Sequence, residues 1–370
     1  MDVLPQNFRT LSLCGLWNET DKFSPVFIIY KLFVLFLIFH ISLGQVIYVF
    51  VTSKSVKELT NGLIFTVTFV TLCVKLINFV SKVKDMRRLL NMFREDICQP
   101  ILSEERRILN DCRTKNSRFF FLLIIVSQSV SLTYMSQPIF LGELIELPLR
   151  IYDPFDTTDF TMLTILYVMQ VVECIYSVCL HMCLDTMIFG FINLVCALFD
   201  ILCFRLQNMG KGNLSVVSFN DCFKLHIVIL KILKSLNSVF MGAIAIMFVL
   251  ILLVICSGIF QITEKSSKFN VDKIILLYFI SFIIGQAYVY CWFGSELEEK
   301  VKNLASTAYE VDWSCASTAE IKNLSFMILI AQRGSTISYR GICTLSHETF
   351  GLIMKSSYAA LNVLKCYSEI

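Results

Sequence analysis

Apolar residues in this chain fall in long runs bounded by charge rather than in the narrow stripes of a water-soluble helix. Read for such runs, the sequence predicts membrane spans at 26–51, 61–80, 119–135, 160–184, 239–260 and 274–293, with a weaker seventh at 341–365. Val26 to Val51 and Val239 to Phe260 each hold about twenty mostly apolar residues, enough at 1.5 Å per residue to cross roughly 30 Å of hydrocarbon. All six prolines lie outside these runs or at their edges, so the spans should be largely unbroken helices, unlike the Pro/Gly-interrupted helices of transporters. In the seventh run, Thr344, Glu348, Gly351, Lys355, Tyr358, Asn362 and Lys365 form one polar stripe. That stripe suits a water-filled path and, equally, a helix lying on the membrane surface.

The helical pattern that begins at Phe160 continues to Phe204, about twice the membrane thickness, so the fourth span must project beyond the bilayer. On its projecting part Phe191, Leu194, Val195, Leu198 and Leu202 keep an apolar stripe, and Phe219, Phe223, Ile227, Leu230 and Leu233 do the same ahead of span five. Stripes outside the bilayer need partners, either within one chain or between subunits.

Composition agrees with the pattern. The 370 residues are 56% hydrophobic and 16% charged, with a mean hydropathy of +0.69. A net charge of +3 and the absence of any Lys/Arg run interleaved with aromatics exclude a nucleic-acid partner. Many of the fifteen cysteines sit inside apolar runs, where they act as small hydrophobes, so no disulfide framework is expected. The first apolar run is too long for a signal-peptide core and should itself direct insertion. An N-terminus on the cytosolic side puts the basic clusters of 82–118 and 224–234 inside, and leaves Lys54, Lys57, Arg150, Lys265, Lys268 and Lys273 outside. This orientation is opposite to that of a G-protein-coupled receptor, and the outer loops hold no cysteine for such a receptor's bridge. It also predicts that the sequons at Asn18, Asn213 and Asn323 carry no sugar.

Catalysis finds no foothold. The histidines His40, His181, His226 and His347 are scattered, and Gly-Lys-Gly at 210–212 lacks the flanks of a phosphate loop, so no enzyme, cofactor or metal site is expected. Of the ionisable residues inside spans, Lys75 is expected to snorkel to the inner interface. Glu173 is expected either to bond a neighbouring helix or to meet a ligand.

Specific motifs crowd the last fifth of the chain. YCWFGSELEEK (290–300) resembles the Cys-x-Phe-Gly-x-x-Leu block of insect odorant receptors and is followed by Ala305, Tyr309 and Trp313 at the family's intervals. AQR (331–333), LSHETF (345–350) and IMKSSYAAL (353–361) follow in the family's order. Upstream, GLW (15–17) and LPLRIYDPFD (147–156) resemble the family's N-terminal motif and the outer loop before span four. A gustatory receptor of the same superfamily is the nearest alternative, but its terminal Thr-Tyr…Gln-Phe motif is replaced here by SYAALNVLK (357–365).

The resemblance implies an all-α integral membrane protein of seven transmembrane helices, one subunit of a tetrameric, ligand-gated, non-selective cation channel. Its implied organisation is a cytosolic segment 1–25, spans one to six with the odorant pocket at 26–293, a cytosolic anchor region 294–340, and a pore-lining seventh helix with an outer C-terminus at 341–370. Carried over position by position, the pore and gate involve Tyr358, Leu361, Asn362, Leu364 and Lys365. The family's pocket lies in the outer half of the bilayer among spans two, three, four and six. There this sequence offers Phe65, Phe69, Ser131 and Tyr134, with Tyr167, Met169, Tyr278 and Phe282 beyond them, an aromatic lining suited to a small apolar molecule. The co-receptor pattern has valine, glutamine and leucine where Leu361, Leu364 and Lys365 stand, and the chain lacks the co-receptor's long inner loop. The implied role is therefore that of a tuning subunit in olfactory neuron plasma membrane, with the shared co-receptor, a volatile odorant, membrane lipid and permeating cations as partners.

Overall fold

The computed structural model describes residues 3–18, 24–52, 56–141, 147–152, 160–209, 218–263, 271–312, 316–334, 337–339, 341 and 343–368. Lys22, Lys54, residues 210–213, Lys265, Lys268 and Trp313 lie outside them, as does the side chain of Lys365.

Among the described residues, six helices are long and apolar enough to cross a membrane. They are α2 (Pro25–Thr52), α3 (Val56–Ser81), α5 (Ser103–Leu141), α6 (Phe160–Gln207), α7 (Phe219–Thr263) and α8 (Val271–Tyr309). Shorter helices α1 (Pro5–Leu13), α4 (Val83–Arg94) and α9 (Thr318–Arg333) gather at one end of the bundle, here termed the broad end. The opposite, loop end carries residues 147–152. A two-residue antiparallel ladder, β1 (Ser338–Tyr339) with β2 (Cys343–Thr344), leads into α10 (His347–Ser368).

α10 is a seventh crossing, which resolves the choice that its polar stripe left open. It starts beside α8, where the His347 N–H donates to Ser295 Oγ at 3.1 Å and Phe350 meets Tyr288 edge-on at 5.5 Å. It ends with Leu361 packed on Cys256 and Phe260, near the loop end of α7. Fourteen residues separate His347 from Leu361, about 21 Å of rise, so the helix climbs the bundle instead of lying across it. Gly294 of α8 makes the start possible, because a Cβ there would collide with the backbone carbonyl of Leu345.

Beyond the membrane segments, α6, α7 and α8 continue into a compact broad-end bundle. Phe191, Leu194, Val195, Leu198 and Leu202 are all buried within this one chain, so the first stripe is satisfied internally. The second stripe sits one position around its helix from the expected one. Cys222, Leu225, Ile229, Ile232 and Leu236 are buried, together with Leu233 of the expected stripe, whereas Phe219, Phe223, Ile227 and Leu230 are only half-buried. Phe223 turns instead toward Phe326 of α9, 6.1 Å away.

Arg205 is the largest fully buried side chain. Its guanidinium grips Glu105 of α5 with Nε and Nη2 at 2.8 and 2.9 Å. It also donates to the carbonyls of Ile97 and Gln99 at 3.4 and 3.2 Å. Both charges are thus paired and bonded, the condition under which ionised groups survive burial.

Candidate ligand cavity

A cavity of about 740 Å³ opens among the membrane helices toward the loop end, within the range of small-molecule sites. α3 contributes Phe65, Phe69 and Leu72, and α5 contributes Ser131, Tyr134 and Met135. α6 contributes Cys174, Ser177 and His181, and α8 contributes Phe279, Phe282 and Gln286. Glu58, Arg150 and Lys273 mark its rim. From Lys273 to Gln286 along α8 is about 20 Å, so the cavity is deep and narrow. Aromatic rings form its middle: Phe65 lies 4.3 Å from Tyr134 and 5.1 Å from Phe279, centroid to centroid.

Of the eight residues expected here, Phe65, Phe69, Ser131, Tyr134 and Phe282 line the cavity, and Tyr167, Met169 and Tyr278 do not. Tyr167 is spent on structure, its hydroxyl donating to the Met135 carbonyl at 2.6 Å. One turn below it, Gln170 takes both backbone groups of Leu149, at 3.1 and 2.9 Å. The 147–152 segment is thereby pinned onto α6. The cavity meets α6 further in, from Cys174 to Met182. Tyr278 is 43% exposed and its hydroxyl lies 3.2 Å from Ser129 Oγ on the outer side of α5. Its neighbour Phe279 takes the inward position, a rotation of about 100° around the helix. The stripe Leu276, Phe279, Ile283, Gln286 was the available signal, since a glutamine on an otherwise apolar face marks a side that meets something polar.

The inner floor is polar, and here the expectation for Lys75 fails. Lys75 does not snorkel: it is 6% exposed and its Nζ donates to Asp185 Oδ1 at 2.5 Å and to His181 Nε2 at 2.9 Å. Tyr290 Oη donates to the same Asp185 oxygen at 2.6 Å. Gln286 Nε2 donates to Asp185 Oδ2 and stands 3.1 Å from His181 Nε2. With Lys75 and Gln286 both aimed at it, His181 Nε2 is the acceptor, so the imidazole proton sits on Nδ1. Asp185 was missed because it lies just past the expected end of span four, where a charge reads as interfacial. Glu173 resolves to an interhelical bond, with His40 Nδ1 at 2.8 Å from its Oε1, and it is absent from the cavity lining.

The family model described as "7tm Odorant receptor" matches residues 55–358. The chain belongs to the odorant receptor family. That membership sets aside the gustatory-receptor alternative. Among curated odorant receptors, it is similar to odorant receptor 13a of Drosophila melanogaster, 22% identical over 94% of this chain and 90% of that one. It is also similar to odorant receptor 47a of the same species, 26% identical over 50% of this chain and 49% of that one. Its fold resembles the insect olfactory receptor OR5 of Machilis hrabei, solved in complex with eugenol, at a TM-score of 0.85 and 18% identity, covering 98% of this chain and 97% of that one.

Within this odorant receptor the residues expected at the pore divide between two faces of α10. Tyr358 is 66% exposed, and Asn362, one turn on, is exposed with it. Glu348 and Lys355 of the polar stripe share that exposed side. Leu361, 4% exposed, and the half-buried Leu364 instead pack against α7. A helix that buries one side against its own bundle can offer only the other to a central path, so Tyr358 and Asn362 are the better-placed pair in the single chain.

Proposed function

We propose that this odorant receptor is the odorant-sensing subunit of a ligand-gated, non-selective cation channel. It assembles as a tetramer with the shared co-receptor in the plasma membrane of olfactory sensory neurons, its N-terminus cytosolic as the Lys/Arg bias indicates. The observation that carries the reading is the double role of α8. Its Phe279, Phe282 and Gln286 wall the cavity, while its Tyr288, Ser295 and Gly294 hold the start of α10. A small volatile molecule packed against one part of α8 therefore acts on the helix whose exposed stripe, through Tyr358 and Asn362, faces the ion path. Opening requires that the molecule bind the open arrangement more tightly than the closed one.

The test is current from oocytes expressing the chain with and without an insect odorant co-receptor, challenged with volatile esters, alcohols, terpenes and aldehydes. Rapid cation current confined to co-expressing cells supports the reading. Robust current from this chain alone refutes its dependence on a partner, and substrate uptake without current refutes a channel.

A further inference from the structure

Several hydroxyls on these membrane helices are spent on their own backbone. Thr66 donates to Gly62 O at 2.8 Å, Thr71 to Val67 O at 2.8 Å and Ser127 to Ile124 O at 3.0 Å. Ser177 departs from the pattern. It is 2% exposed, lies in the cavity wall, and its Oγ has no hydrogen-bond partner among the described residues. An unpaired buried hydroxyl is costly, and a site that keeps one has reserved it for something that enters.

Gln286 offers the complementary atom. Its amide nitrogen is engaged by Asp185 and His181, which leaves its carbonyl oxygen without a protein donor among the described residues. Asp185 itself is held by Lys75 and Tyr290, so the amide is fixed with its nitrogen toward the floor. Ser177 and His181 are four residues apart on one face of α6, about 6 Å, and Gln286 contacts His181. The two residues therefore lie at the same, inner end of the cavity, whose wall also holds Phe69, Phe279 and Phe282.

We infer that Ser177 and Gln286 form a specificity seat for the hydroxyl of an alcohol or phenol, whose apolar body lies among the cavity aromatics. The inference rests on the proposed function for the cavity's use and adds the chemical class of the ligand. A hydroxyl donates to Gln286 Oε1 while accepting from Ser177 Oγ–H, so both atoms are satisfied by one group. An ester, ketone or aldehyde brings only acceptors and sets its oxygen against the oxygen of Gln286. A carboxylate or an ammonium would have to be buried without a counter-charge, because Lys75 and Asp185 already neutralise one another.

The experiment uses matched probes: 2-phenylethanol, its methyl ether and ethylbenzene, with 1-hexanol, hexyl methyl ether and heptane as a second set. Dose–response currents are recorded from the chain with its co-receptor in three forms: wild type, Ser177→Ala and Ser177→Thr. In the wild type the alcohol is expected to act at a concentration about five- to tenfold below its ether, the worth of one neutral hydrogen bond. Ser177→Ala removes the donor that alcohol and ether both accept from, so it should raise the effective concentrations of both toward that of the hydrocarbon by about fivefold, and Ser177→Thr, which keeps the hydroxyl, should restore them. An ether as potent as its alcohol, or an alcohol-over-hydrocarbon gap untouched by Ser177→Ala, overturns the seat. Shifts in melting temperature of the purified complex with the same probes decide the seat independently of gating. A larger shift with the alcohol than with its hydrocarbon in wild type, narrowed in Ser177→Ala, supports it even if no current flows, an outcome that counts against the channel reading instead; equal shifts with alcohol and hydrocarbon overturn it.

Discussion

Lys75 of α3 and Asp185 of α6 meet at 2.5 Å with 6% and 1% of their side chains exposed, closing the cavity's inner end with a buried ion pair. Removing one partner leaves the other charge buried and alone, a loss of about 3 to 5 kcal/mol. Lys75→Met and Asp185→Leu are each expected to cut surface expression sharply. The double variant should recover much of it, because no lone charge remains. Quantified surface biotinylation reads this, and losses that simply add across the two sites would show that the pair is not coupled.

Phe279 and Tyr278 are neighbours in sequence about 100° apart around α8, the one in the cavity wall and the other turned outward. Phe279→Ala removes a ring from the cavity wall and should weaken responses to any ligand that packs there by about 1 to 3 kcal/mol, or roughly five- to hundredfold in effective concentration. Tyr278→Ala removes an outward-facing ring and should leave the dose–response curve within about twofold of wild type. Equal shifts for the two would place the ligand elsewhere.

Tyr358 and Leu361 test the face assignment of α10 in the same way. Tyr358→Glu puts charge on the exposed stripe and should change single-channel conductance or rectification. Leu361→Ala empties a contact with Cys256 and Phe260, so its expected effect is a stability loss of about 2 to 5 kcal/mol, seen as reduced surface expression with unitary conductance unchanged. A conductance change at Leu361 with none at Tyr358 would reverse the assignment.

Gly294 is needed for close approach rather than for its backbone angle. Even Gly294→Ala forces the Leu345 carbonyl away from α8. Overpacking of this kind costs about 1 to 3 kcal/mol. The variant should reach the membrane but respond with a smaller maximal current, since the junction between α8 and α10 is displaced. An unaltered maximal response would remove that junction from the gating path.

Hydropathy alone located the six strong spans and the overlong fourth helix, because twenty apolar residues in a row have few destinations other than a bilayer. The terminal motifs carried the family, and the pocket position that the resemblance implied, read with residue type, led to Phe65, Phe69, Tyr134 and Phe282, which line the cavity. Rotation and depth were not legible. Whether Tyr278 or Phe279 points inward depends on how α8 is turned against α3 and α5, and both residues are equally compatible with an apolar run. How far down α6 the cavity sits was settled by Leu149 and Gln170, residues 21 positions apart that bond only in the folded chain. The buried floor was hidden for the same reason. Lys75, Asp185 and Tyr290 are far apart in sequence, and each alone reads as an interfacial or packing residue. Only tertiary structure brings a cation, an anion and a hydroxyl together, and their mutual satisfaction is what permits three such groups to be buried at all.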